Sequence, residues 1–171
     1  GEIDNLRTGL CSGTNCSGGL LANIQSTIPD AWFGVGFTRE LVRGYNWSSS
    51  TDDLGYHHLL DLTSTRADVA RAVNSLNING NDDWPEAQAQ AIYSVASGLG
   101  MGNYWPNRAG CATGQFGYGC FRQGTIPILI LFTDAPFHNG PVTTYNYSLS
   151  GSYNYTTPST SLPPMNSLSA S

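Results

Sequence analysis

The stretch TIPILILFTDAPFHNG, Thr125 to Gly140, decides the fold. From Ile126 to Phe132 every residue except Pro127 is a large apolar one, and no polar residue alternates with them. A strand with one wet face alternates, whereas an unbroken run of this length has two apolar faces. The run therefore reads as a strand buried in the middle of a sheet, with layers packed on both sides. Asp134 follows it by two residues. In open α/β sheets, ligands gather beyond the carboxyl ends of the strands, which is where that carboxylate would stand.

The remaining elements build outward from this strand. AWFGVGFT (Ala31–Thr38) reads as a strand with Phe33, Val35 and Phe37 on one face, and YHHLLDLT (Tyr56–Thr63) as a second. STRADVARAVNSL follows as a helix with Val69, Ala70, Val73 and Leu76 turned inward, and PEAQAQAIYSVASGL as another. Two helical pieces precede them, one carrying Ile3, Leu6 and Leu10, the other Leu20, Leu21, Ile24 and Ile28, with the Cys11–Cys16 segment between. Residues Arg39–Gly55 and the glycine-rich stretch GMGNYWPNRAGCATGQFGYGCFRQG read as long loops. Strands alternating with helices imply an α/β fold of three layers, doubly wound around a largely parallel sheet. The chain divides into a domain over 1–138 and a tail over 139–171, uncharged and rich in Ser, Thr, Tyr, Asn and Pro, which reads as loop or disorder.

Composition narrows the function. Only 11% of residues are charged, all seven basic ones are arginine, and the net charge is −5, so no basic stripe exists for a nucleic-acid partner. No run reaches the roughly 18 apolar residues of a membrane-spanning helix. The four cysteines form two close pairs, Cys11 with Cys16 and Cys111 with Cys120, spaced by the small polar residues that tight disulfide loops need. Zinc is disfavoured because neither pair has a second Cys or His pair to complete it. Paired cysteines and four N-x-[ST] sequons (Asn15, Asn46, Asn146, Asn154) favour an extracellular, cell-surface or periplasmic location.

A second stretch carries chemistry. In NGNDDWPEAQ, residues 79–88, the acids Asp82, Asp83 and Glu86 crowd in front of a helix. Asp83 as a cap, Pro85 in the first turn and Glu86 at the positive end of the helix dipole account for three residues without a ligand. Asn81, Asp83, the Pro85 carbonyl and Glu86 also offer oxygens along one tight loop, the donor type that Mg²⁺ and Ca²⁺ require. Asp83, Glu86 and Asp134 together make up three of the twelve acids in the chain.

These residues carry a resemblance. N-x-D-x-P-E (Asn81, Asp83, Pro85, Glu86), followed some fifty residues later by ILILFTDAPFH, resembles the von Willebrand factor type A fold. The chain looks most like the I-like domain of integrin β subunits and the related bacterial secreted proteins. WFGVGF is similar to that family's second strand, and DLTSTRADVARAVNSL to the strand end and helix that follow. The resemblance covers Gly1 to Gly140 and implies a metal-ion-dependent adhesion site. Glu86 then binds the metal directly and Asp134 binds it through water. Asn81, Asp83, the Pro85 carbonyl and Glu86 form an adjacent calcium site, and Glu2, with Asp4 less closely matched, belongs to another flanking one. The ion is Mg²⁺ or Ca²⁺, with Mn²⁺ as a further option, and the ligand is a protein offering a carboxylate. The resemblance thus implies adhesion and not catalysis.

One departure is large. The family's D-x-S-x-S signature, with the strand that carries it, would precede Gly1, and no other D-x-S-x-S stands in the chain. The expectation is therefore a segment truncated at both ends, whose central strand comes from the parent chain or from another chain. Alone it is expected to fold marginally and to bind divalent ions weakly. Two other readings stay open: a secreted scaffold indifferent to chelation, and a metal-dependent hydrolase using His138 and Asp134. G-x-S-x-G and the phosphate-binding G-x-x-x-x-G-K-[ST] are both absent.

Overall fold

The computed structural model describes residues 1–39, 55–77, 87–100 and 105–134, and the backbone of 145–148 and 152–155. The described residues form a mixed α/β structure. Helix α1 (Glu2–Leu10) leads through a 3₁₀ turn (Thr14–Cys16) to α2 (Leu20–Thr27). Strands β1 (Phe33–Phe37) and β2 (His57–Thr63) then pair, and helices α3 (Arg66–Ser75) and α4 (Gln88–Ser97) follow. The two helical pieces, both strands and α3 fall where their hydrophobic spacing puts them. Helix α4 opens later than its sequence predicts: Ala87 is its N-cap, accepting at its carbonyl from Ala91 N–H at 3.0 Å.

The core forms around α3. Val69 and Val73 are each 1% exposed, and Ala70 and Leu76 are buried with them. Against these pack Phe33, Val35 and Phe37 of β1, Leu59 and Leu60 of β2, and Ile3, Leu10 and Leu21 from the first two helices. Burying one valine contributes roughly 1.5–3 kcal/mol, so this cluster outweighs any single polar contact in the fold. The Cys11–Cys16 disulfide lies in the same cluster, where it seals the kink between α1 and α2.

The pairing of β1 with β2 is antiparallel, with Phe33 opposite Thr63, Val35 opposite Leu60 and Phe37 opposite His57, and irregular register on both sides of Val35. This differs from the largely parallel sheet expected from the alternation of elements. Alternation along the chain fixes element order but not strand direction, and doubly wound sheets can carry an antiparallel strand at an edge. Gly36 is needed here for close approach. A Cβ at that position would lie 2.8 Å from Tyr56 Cε2 and 3.0 Å from the His57 carbonyl oxygen.

A second cluster joins α4 to the glycine-rich excursion. Ala87, Ala91 and Val95 of this helix pack with Tyr56, Trp105 and Tyr118. Gly98 ends α4 in the left-handed conformation (φ 78°), donating its N–H to Ser94 O. From there the excursion is held by backbone bonds: Arg108 N–H to Gly98 O (2.8 Å), Tyr118 N–H to Val95 O (2.9 Å) and Leu62 N–H to Gly119 O (3.1 Å). The Cys111–Cys120 disulfide closes its tip, as the cysteine spacing predicts. At its far end, Arg122 stacks over Trp32 (4.3 Å) and donates to Asp30 O at 3.0 Å.

Two expectations are corrected. The run Ile126–Phe132 belongs to no strand, and Ile126, Ile128 and Ile130 are 87%, 72% and 56% exposed. An apolar run records what a segment can bury, but burial needs neighbours on both edges and both faces. Among the described residues, β1 and β2 pair with each other and offer the run no ladder. The tail, read as loop or disorder, contains a hairpin of β3 (Tyr145–Ser148) and β4 (Ser152–Tyr155), registered Tyr145 to Tyr155 and Tyr147 to Tyr153. The period-two alternation in YNYS and SYNY is the signal that the compositional reading passed over.

An uncharged, apolar and unpaired segment is a template for association. The chain is expected to self-associate with rising concentration, and Ile130→Lys to shift it toward monomer in sedimentation velocity. Its thermal midpoint should stay in place because the residue already faces water. Equal sedimentation of the two proteins would remove this segment from any role in association.

Candidate functional site

Of the residues expected to hold a metal, Asn81, Asp83, Pro85 and Glu86 lie outside the described residues, as does His138. Asp134 is described and exposed, and among the described residues it takes part in no hydrogen bond or ion pair. Its carboxylate differs in this from Asp4, Asp61 and Asp68, each of which has a cationic partner. Glu2 is exposed in the first turn of α1, and no recorded contact brings it to Asp134. Asp4 is held below the usual carboxylate range first by the N-terminal ammonium and then by Arg7. Among the described residues no three His, Cys, Asp or Glu side chains gather into a metal cluster.

One contact does join the two chain segments. Gln88, at the start of α4 and 1% exposed, donates from Nε2 to Thr133 Oγ1 at 2.9 Å. Gln88 stands two residues after Glu86, and Thr133 one before Asp134. The residue before Asp134 is therefore tied to the start of α4, although 45 residues separate the partners of that bond. The donor set suits a hard cation, since every candidate ligand atom is an oxygen, and among the described residues the Asp134 carboxylate takes part in no hydrogen bond or ion pair.

A polar constellation not apparent from the sequence links β2 to the excursion. Tyr56 Oη lies 3.0 Å from His58 Nδ1, and His58 Nε2 lies 2.6 Å from Asp61 Oδ1. Arg108 Nη2 donates to the other Asp61 oxygen at 2.6 Å and reaches Cys120 Sγ at 3.4 Å. An ionised carboxylate only accepts, so Nε2 carries the ring hydrogen, and in the neutral ring Nδ1 accepts from the tyrosine hydroxyl. Tyr118 meets the Tyr56 ring edge-on at 5.2 Å and donates its own hydroxyl to Pro106 O. The chain Tyr56–His58–Asp61–Arg108 gives each group a partner and cross-links two elements, while Arg108 Nε is buried without one. His57, its sequence neighbour, instead stacks on Phe37 at 4.3 Å. Neither histidine near β2 is thus presented as a free catalytic base. Sequence reading missed the constellation because Arg108 comes from a loop 47 residues away.

No family model matches the chain, and no curated protein or solved structure matches it either.

Burial pushes the Tyr56 hydroxyl well above its ordinary value of 10.0, with the neighbouring Tyr118 adding to the shift. Tyrosine is neutral when protonated, so the raised folded value gives stability that is complete below pH 10. That stability is lost as pH rises further, because the unfolded chain ionises first. Tyr56→Phe is expected to flatten this alkaline limb and to lose about 1 kcal/mol at pH 8 with the bond to His58. Urea melts of both proteins at pH 8, 9.5 and 10.5 check the two effects together.

Proposed function

We propose that this chain is part of a von Willebrand A-type domain, doubly wound, that binds a protein ligand through a divalent cation outside the cytoplasm. The observation that carries the reading is the Gln88–Thr133 hydrogen bond, which ties the helix start behind Glu86 to the segment bearing Asp134. In this reading Glu86 binds the ion directly and Asp134 through water. Asn81, Asp83 and the Pro85 carbonyl hold a neighbouring calcium ion together with Glu86, and Glu2 serves a further flanking site. The cation supplies Lewis-acid charge for a carboxylate from the partner. The oxygen-only donor set favours Mg²⁺, Ca²⁺ or Mn²⁺ over zinc.

Two further features support this reading. The antiparallel β1–β2 pair is compatible with the edge of a larger, mostly parallel sheet. Both disulfides fit an oxidising compartment, and no described helix is long and apolar enough to cross a membrane.

A cation that binds only the folded chain stabilises it by about 2.7 kcal/mol at a hundredfold excess over Kd. Ca²⁺ or Mg²⁺ is expected to raise the thermal midpoint, EDTA to reverse the rise, and Glu86→Gln or Asp134→Asn to abolish it. A midpoint indifferent to both ions and to EDTA would leave a scaffold without metal-dependent binding as the better account.

A further inference from the structure

We infer that Cys111–Cys120 is an exchange-active disulfide: a small thiol attacks Cys111 Sγ, and Cys120 leaves as a thiolate held by the Arg108 guanidinium. None of these residues serves the cation site proposed above, so neither reading depends on the other. The thiol first gives its proton to solvent. Its thiolate then forms a new S–S bond to Cys111 as the Cys111–Cys120 bond breaks, and Cys120 takes the electron pair. The attacking sulfur is oxidised to the disulfide level and Cys120 is reduced, so no other reagent is needed.

The two sulfurs have opposite surroundings. Arg108 Nη2 lies 3.4 Å from Cys120 Sγ, whereas Cys111 Sγ lies 3.7 Å from the Gly117 carbonyl oxygen. A guanidinium stabilises a thiolate and a carbonyl lone pair does not, so Cys120 is the better leaving group. Access points the same way. Cys120 is 6% exposed and lies between the buried Gly119 and Phe121, while Cys111 is half-buried between the exposed Gly110 and Ala112. The incoming thiol therefore reaches Cys111. Arg108 is held in place by its backbone N–H, which donates to Gly98 O at 2.8 Å, and by Nη2, which donates to Asp61 at 2.6 Å. Its Nε is buried without a partner, a donor in reserve on the guanidinium that the new anion would face. Cys11–Cys16 offers a contrast inside the same chain. Both of its cysteines are buried in the apolar cluster with Val69 and Val73, and no described hydrogen bond brings a cation to either sulfur. Apolar burial makes a cysteine inert.

The full 171-residue chain can be incubated with glutathione without denaturant, quenched early in acid, and mapped by peptide mass spectrometry. The expected result is glutathione on Cys111, a free Cys120 and an intact Cys11–Cys16. Arg108→Gln is expected to open about fivefold more slowly, because the leaving thiolate loses its cation. A purely structural Arg108 predicts the opposite sign, since a loosened excursion exposes the disulfide and opens faster. Should Arg108→Gln fail to fold, the wild type decides: the preference for Cys111 must be present in the folded chain and lost in urea. Glutathione on Cys120, equal opening of both disulfides, or no opening at all overturns the proposal. So does an Arg108→Gln rate at or above wild type, or a preference for Cys111 that survives in urea.

Discussion

The packing of α3 against the β1–β2 hairpin is the interaction on which the rest of the described structure depends. Val69 and Val73 lie between the strands and the first two helices, so one amphipathic stripe serves two neighbours. With it in place, β2 is held firmly enough for Tyr56 to lie against Gly36 and receive Tyr118 on its edge. That second contact anchors the excursion, and through the excursion the C-terminal half of α4. The dependence runs one way. The apolar cluster can form without the Tyr56–His58–Asp61–Arg108 chain, whereas the polar chain has no fixed geometry without the hairpin.

Local pattern was a good guide wherever burial is one-sided. Phe33, Val35 and Phe37 alternate and do face α3, and Val69, Ala70, Val73 and Leu76 recur at helical spacing and are buried. The cysteine pairs were legible because each closes a short loop whose small residues allow no other obvious partner. What pattern could not supply was anything that depends on which elements meet. The direction of β2 relative to β1 leaves no trace in either strand's composition. The exposure of Ile126–Phe132 contradicts its composition, because hydrophobicity states a demand that only neighbouring strands can meet. The candidate site was legible only as residue types: the oxygen donors could be named from Asn81 to Glu86, but the Gln88–Thr133 contact spans 45 residues and follows no periodicity.

The two ends of the polar architecture differ in character. The constellation around His58 is closed, since each of its groups has a partner in hand, and its Asp61 carboxylate is shared by an imidazole and a guanidinium. Asp134 is its opposite, an exposed acid with no described partner at the end of an apolar segment. Folded proteins keep few acids in the first state unless they stabilise structure. They keep acids in the second state either by surface accident or because the partner arrives from solution. The tether to the start of α4 is what distinguishes Asp134 from an ordinary surface carboxylate.

The contact of Arg122 with Trp32 and Asp30 joins residues 92 positions apart and so draws most of the described chain into one closed circuit. Closing such a circuit has an entropic cost that grows only slowly with its length, so one cation–π contact and one hydrogen bond can hold it once the helices and hairpin exist. The circuit couples events that would otherwise be local. Fraying of the excursion's far end releases the strand entry at Trp32, and loosening of β1 frees the excursion in turn. The described residues around Trp32 and Arg122 should therefore open together, with hydrogen-exchange protection rising and falling in step at both ends of the circuit.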